Sequence, residues 1–150
     1  MKFRILLSAL LLAAGLVSVV RGEEVKRPDT PTEVVKKFQK GINELDFAAV
    51  VRLCDGKMKN DAEELFKQIA ELKATADQGN SEAKQAYEQG KALCAKMKIE
   101  VKSEKIEGDF AVLDTVMSDP NTSSKEKFYL KKVDGEWKII DKEDYRPAAK

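Results

Sequence analysis

Apolar and polar residues alternate from Phe128 to Asp141, on either side of Asp134-Gly135. An Asp-Gly pair between two alternating runs predicts a β-hairpin closed by a type I′ turn, which needs positive φ at both central residues. That turn pairs Val133 with Glu136, Lys132 with Trp137, Leu130 with Ile139 and Phe128 with Asp141. One face then carries Phe128, Leu130, Trp137 and Ile139, and the other carries Lys127, Lys131, Glu136 and Lys138. A ribbon of this kind is half-buried and must lay its apolar face on another layer.

The cover comes from upstream, where the period is helical. Thr30 can cap a helix, Pro31 sits where a missing N–H is harmless, and Glu33 completes a capping box. Val34, Val35, Phe38, Ile42 and Leu45 follow as one apolar stripe. Asp46 caps a short second helix through Phe47, Ala49, Val50 and Leu53, which ends at Cys54-Asp55-Gly56. A longer helix starts near Asn60 or Asp61 and places Ala62, Leu65, Phe66, Ile69 and Leu72 on one face. Gly79-Asn80-Ser81 interrupts it, and the helical period resumes through Ala83, Ala86, Tyr87, Gly90 and Cys94 to about Met97. The two segments form a helical hairpin or one kinked helix.

From Lys98 the period falls to two. Ile99, Val101 and Ser103 alternate with charged residues, Glu107-Gly108-Asp109 is a turn, and Phe110 to Met117 is a strand. A polar loop, Ser118 to Ser124, leads into the hairpin. Helices followed by four strands joined by short turns predict an α+β domain over residues 30–141, with N-terminal helices on one face of a curved antiparallel meander. Residues 23–29 are a lead-in, and residues 142–150 a frayed tail in which Tyr145 packs.

Composition narrows the function. With 43% hydrophobic and 35% charged residues among 150, the chain can fill a single core. Met1-Lys2-Phe3-Arg4 is basic, Ile5 to Val20 is uncharged and apolar, and Val20-Arg21-Gly22 offers residues of the kind a signal peptidase reads. Residues 1–22 therefore read as a secretory signal peptide, which makes the mature protein extracytoplasmic, periplasmic or secreted. An uncleaved anchor is the alternative and would be the protein's only membrane contact. It would be short against the roughly 20 residues of a membrane span. Without Lys2, Arg4 and Arg21, 24 basic residues face 26 acidic ones, a net of −2 that gives no pull toward nucleic acid. Histidine is absent, and two separated cysteines make no zinc site, so neither a metal nor another cofactor is expected.

Several stretches carry a resemblance. Thr30-Pro31 before an amphipathic helix, Leu45-Asp46-Phe47, Ile106-Glu107-Gly108-Asp109-Phe110-Ala111-Val112 and Val133-Asp134-Gly135-Glu136-Trp137-Lys138-Ile139 resemble short secreted bacterial proteins of unknown function. Those belong to the cystatin-like superfamily and have the cone-shaped fold of the nuclear transport factor-like proteins. The resemblance covers roughly residues 30–141 and implies a curved sheet wrapped around helices and a pocket. The superfamily includes steroid isomerases, dehydratases and polyketide cyclases as well as members without chemistry. No catalytic signature of those enzymes is present in this chain.

Particular residues then carry alternatives. Cys54 and Cys94 would be brought together by a helical hairpin, and an oxidising compartment favours a bridge between them. Closing that loop would stabilise by about 3–4 kcal/mol in the chain-entropy model. Two buried free thiols are the other reading. Phe38, Tyr87, Leu130 and Trp137 are candidate pocket-lining residues, each of which also fits a packing role. Trp137 is a core anchor with the Lys132 stem across its ring, or a stacking surface for a ligand. Asp114 is the sole acid in an apolar strand, and a one-residue change of register decides its environment. Facing inward, it would be a candidate general acid or base; facing outward, a solvated acid. Tyr129 could join a pocket or the sheet surface. Lys125, Lys127, Lys131 and Lys138 form a solvated polar face that could also meet an acidic partner.

Three functions are compatible with these residues. The first is an exported, non-catalytic binding or accessory domain for a small molecule or an envelope protein. The second is a small-pocket enzyme of the proton-transfer or hydration type, using Asp114 and a tyrosine. The third is a module that forms a homodimer through the open sheet face at Tyr129 and Ile140. An interior filled by Phe38, Phe66, Leu130 and Trp137 would argue against the enzyme.

Overall fold

The computed structural model describes residues 27–147. The expected leader (residues 1–22), the first part of the lead-in and residues 148–150 lie outside the described residues. Four helices precede four strands: α1 (Pro31–Glu44), α2 (Phe47–Arg52), α3 (Gly56–Asp77) and α4 (Ser81–Lys96), then β1 (Lys98–Glu107), β2 (Phe110–Ser118), β3 (Ser123–Val133) and β4 (Glu136–Ile140). None of the described helices is long and apolar enough to cross a membrane.

Local chemistry sets each helix boundary. At the start of α1 the Glu33 N–H donates to Thr30 Oγ1 (3.2 Å) and the Thr30 N–H to Glu33 Oε2 (2.6 Å), a reciprocal capping box. Leu45 ends α1 in the left-handed region (φ 56°), and Asp46 accepts the Ala49 N–H (3.0 Å) to open α2. Asn80 accepts the Ala83 N–H (2.9 Å), and Gly79 at φ 95° turns the chain, so α3 and α4 form a hairpin and not one kinked helix. The third helix starts at Gly56, earlier than Asn60. Cys54 and Asp55 are held extended beside β4, and Gly56 (φ 58°) releases the chain straight into the helix.

The sheet is an antiparallel meander in the order β1-β2-β3-β4. Asp134 (φ 52°) and Gly135 (φ 84°) make the I′-type turn, and Val133, Lys132 and Leu130 pair with Glu136, Trp137 and Ile139. Phe128 has no partner at Asp141, because β4 ends at Ile140. The Gly108-Asp109 turn puts Glu107 opposite Phe110 and Ser103 opposite Asp114. Between Ser103 and Val101 the register shifts, leaving Lys102 as the extra residue of a β-bulge. Unbroken alternation would put Ser103 and Val101 on one face. The bulge instead returns Val101 and Ile99 to the helix side, opposite Thr115 and Met117, and leaves Ser103 outside with Asp114.

On the helix side, Ile99, Ala111, Leu113, Phe128, Leu130, Trp137 and Ile139 pack with Val34, Val35 and Cys54 into one cluster. Leu113 and Leu130 are 0% exposed. Phe38 closes the cluster with its ring edge-on to Phe128 at 5.7 Å. Polar groups fix α1 over this layer: Gln39 Oε1 accepts the Ile99 N–H (2.8 Å), and Asn43 Nδ2 donates to the carbonyls of Met97 (2.9 Å) and Cys94. Phe66 does not join this core. Its ring stacks on Phe47 at 4.1 Å, because α3 packs mainly on α4 and α2 beside the main layer.

The outer face of the sheet is partly covered as well. Asp141 accepts the Glu143 N–H (3.1 Å) and opens a 3-10 turn over Lys142–Asp144, so the tail is ordered further than its composition indicates. Tyr145 then lies against Phe110 (5.6 Å) and Tyr129 (5.2 Å), and its hydroxyl donates to Glu107 (3.1 Å).

The filled inner layer sets a large cavity penalty at its centre. Leu130→Ala should destabilise the protein by about 2–5 kcal/mol in urea denaturation, while Ile106→Ala, at a half-exposed position of β1, should change stability by less than about 1 kcal/mol. Equal losses at the two positions would contradict the described packing.

Candidate functional site

A broad concavity lies between α1, α2, the first turns of α3 and the edge strand β4, with a volume of about 1060 Å³. A close helix crossing shapes it. A Cβ on Gly41 would stand 2.7 Å from Val50 Cγ2 and 3.4 Å from the Asp46 carbonyl, so only glycine lets α2 run this near α1. Beyond α2, the Ile139 N–H donates to Leu53 O (2.7 Å) and the Asp55 N–H donates to Ile139 O (2.9 Å). These two bonds tie the end of α2 to the edge of β4 as a parallel bridge and close one end of the cleft.

The floor is apolar, with Val34, Leu53, Cys54 and Trp137. The walls carry both signs of charge, in pairs such as Lys40–Glu44 (3.8 Å), Lys59–Glu63 (4.0 Å) and Lys138–Glu136 (2.8 Å). Lys138 also donates to the Arg52 carbonyl (3.0 Å), which anchors the wall formed by β4. Lys132 lies over the Trp137 ring at 5.1 Å, as the hairpin register predicts.

The sequence-predicted site residues do not converge on this cleft. Phe38 and Leu130 belong to the filled core, and Trp137 belongs to both the core and the cleft floor. Tyr87 stands apart, in a small apolar groove of about 80 Å³ between α3 and α4. Asp114 faces outward on the sheet surface, where Lys127 Nζ and Ser103 Oγ (2.7 Å) donate to it. The Lys127 ammonium first, and the Ser103 hydroxyl second, hold its carboxyl below the usual carboxylate range. It is therefore ionised at neutral pH and poorly placed to act as an acid. Tyr129 sits under Tyr145, and Ile140 is only 4% exposed, so the face expected to be open is partly occupied by the chain itself.

Cys54 and Cys94 are both free thiols, which corrects the expected bridge. The helix α4 has 16 residues against 22 in α3, so the returning helix stops short of the start of α3. Cys94 consequently lines the small groove beside Leu45 and Phe47, while Cys54 lies in the core under Ile139. Burial pushes the Cys54 thiol up to about 11, against a small opposing effect of Lys138. A thiol in that state is not a nucleophile at neutral pH. Among the described residues, no group of three or more cysteine, aspartate or glutamate side chains could hold a metal ion. The cleft itself was not marked in the sequence. Its lining comes from four separated segments whose charged residues look like ordinary solvated helix faces.

No protein-family model matches the chain, and no curated protein matches it. Solved structures do show likeness. A Campylobacter jejuni protein described as a candidate NTF2-like transpeptidase is 18% identical over 76% of this chain and 100% of its own, with a TM-score of 0.47. An NTF2-like protein of unknown function from Cytophaga hutchinsonii is 12% identical over 77% of this chain and 90% of its own, with a TM-score of 0.40. The α+β architecture described above rests on this chain's own helices and strands.

The two thiols should differ in reactivity. Iodoacetamide at pH 8 should label Cys94 in the native protein and leave Cys54 unmodified, with both labelled in urea. Mass mapping of the labelled peptides checks this, and rapid native labelling of Cys54 would show that it is not buried as described.

Proposed function

We propose that this chain is an exported, non-catalytic binding or accessory domain of the cystatin-like, NTF2-like kind, and that the cleft beside β4 is its ligand site. One observation carries the reading. The space between helices and sheet is filled by Leu113, Leu130 and Ile139, whereas a cleft of about 1060 Å³ with walls of both charges lies outside that layer. The groups that could have served catalysis support the same view. Asp114 is outside and ion-paired, and Cys54 is buried with its thiol protonated. The signal-like residues 1–22 favour a location outside the cytoplasm. A cleft just above the usual small-molecule size range, with charged walls, suits a charged segment of a partner protein better than a compact apolar ligand.

Trp137 is the chain's single tryptophan and reports directly on the cleft. Its emission should respond saturably to a peptide of alternating lysine and glutamate, with affinity falling as salt rises, and respond less to oligolysine or oligoglutamate of equal length. The paired reversal Lys40→Glu and Arg52→Glu should weaken the mixed-charge peptide at least tenfold while the melting temperature stays within a few degrees. No response to any of the three peptides would overturn the assignment of the cleft as the binding site.

A further inference from the structure

The mode of binding can be read from the main chain of β4. Successive residues of an edge strand send their N–H and C=O alternately into the sheet and out of it. Ile139 sends both outward, to Leu53 and Asp55. The next residue of the same parity toward the turn is Trp137, so its N–H and C=O also leave the sheet, on the side where Trp137 lines the cleft. Its cross-strand partner Lys132 confirms the alternation, because the Lys132 N–H donates to Asp109 O (2.8 Å), away from β4. Among the described residues, no backbone group bonds the outward pair of Trp137. Leu53 to Asp55 therefore pair with only the far half of this edge, and the half nearer the turn borders the cleft.

We propose that the cleft takes an extended polypeptide segment of a partner protein, carrying both signs of charge, which is added as a strand beside Trp137. The proposal rests on the cleft being a binding site and adds how the ligand is held. A partner main chain one strand spacing away would exchange two hydrogen bonds with the Trp137 N–H and C=O, in continuation of the bridge that Leu53 and Asp55 already make. Those of its side chains that face the helix layer would then meet the charged walls of the cleft. These carry Lys40 and Glu44 of α1 and Lys59 and Glu63 of α3. Lys138, held to the Arg52 carbonyl, bounds the site and limits the added ladder to a short one. A free strand edge selects for an extended backbone, which a small molecule lacks and a helix cannot offer.

The test uses two blocked nonapeptides that alternate threonine with lysine and glutamate. They are identical except that one is N-methylated at alternate residues, which removes N–H donors and keeps every side chain. The unmodified peptide should bind, read by Trp137 emission, and the methylated one should bind about tenfold or more weakly, as expected when the donor to the Trp137 C=O is replaced by a methyl group. In NMR exchange experiments on the ¹⁵N-labelled protein, the Trp137 amide should exchange at least tenfold more slowly once the unmodified peptide is bound. Equal binding of both peptides, or an unchanged Trp137 amide, would overturn strand addition while leaving the cleft as a binding site. Failure of both peptides to bind would overturn the two readings together.

Discussion

Burial of one face of a four-stranded meander is the constraint from which the rest follows. Three of the four strands contribute fully inward residues to that face, among them Ala111, Leu113, Leu130 and Ile139, and no sheet leaves such a surface in water. The helix α1 supplies the cover through Val34 and Val35, and Gln39 and Asn43 fix its position over the start of β1. Once α1 is placed, Gly41 dictates how closely α2 can cross it. The end of α2 then has one place to go, along the edge of β4. The cleft is what remains outside this packing, and its position is a by-product of covering the sheet.

Features set by neighbours in sequence were legible before the structure. The Thr30–Glu33 capping box, the Asp46 and Asn80 caps and the Asp134-Gly135 turn each depend on two to four adjacent residues, and the structure contains all of them. The hairpin register followed from the turn alone. Features set by distant packing were not legible. The bulge at Lys102 exists because Ile99 and Val101 must face the helices while Ser103 stays opposite Asp114, and a plain alternation count cannot include an extra residue. Phe66 reads as core by its helical spacing, but the stripe could not say which layer α3 meets. The two cysteines lie in one helical region of the chain, yet unequal helix lengths put them in separate clusters.

The site was the least legible part for the same reason. Individual candidates such as Trp137 were found because aromatic residues on an apolar strand face stand out. The cleft needs Lys40, Arg52, Lys59 and Glu136 together, and each alone looks like surface. Edge geometry is more hidden still. The outward pair at Trp137 follows from strand order and from two hydrogen bonds of Ile139, neither of which leaves a mark in composition. One residue thus serves both layers: its ring helps to seal the core under Lys132, and it also lines the cleft.

The most direct measurement of the covered sheet is a methyl and aromatic NOE spectrum of the protein in solution. The described packing predicts cross-peaks that connect the α1 methyls of Val34 and Val35 with the sheet residues of their cluster, including Leu130, Ile139 and the Trp137 indole. A spectrum in which the Leu130 and Trp137 side chains show no contact with any helix, and instead exchange magnetisation with water, would contradict it.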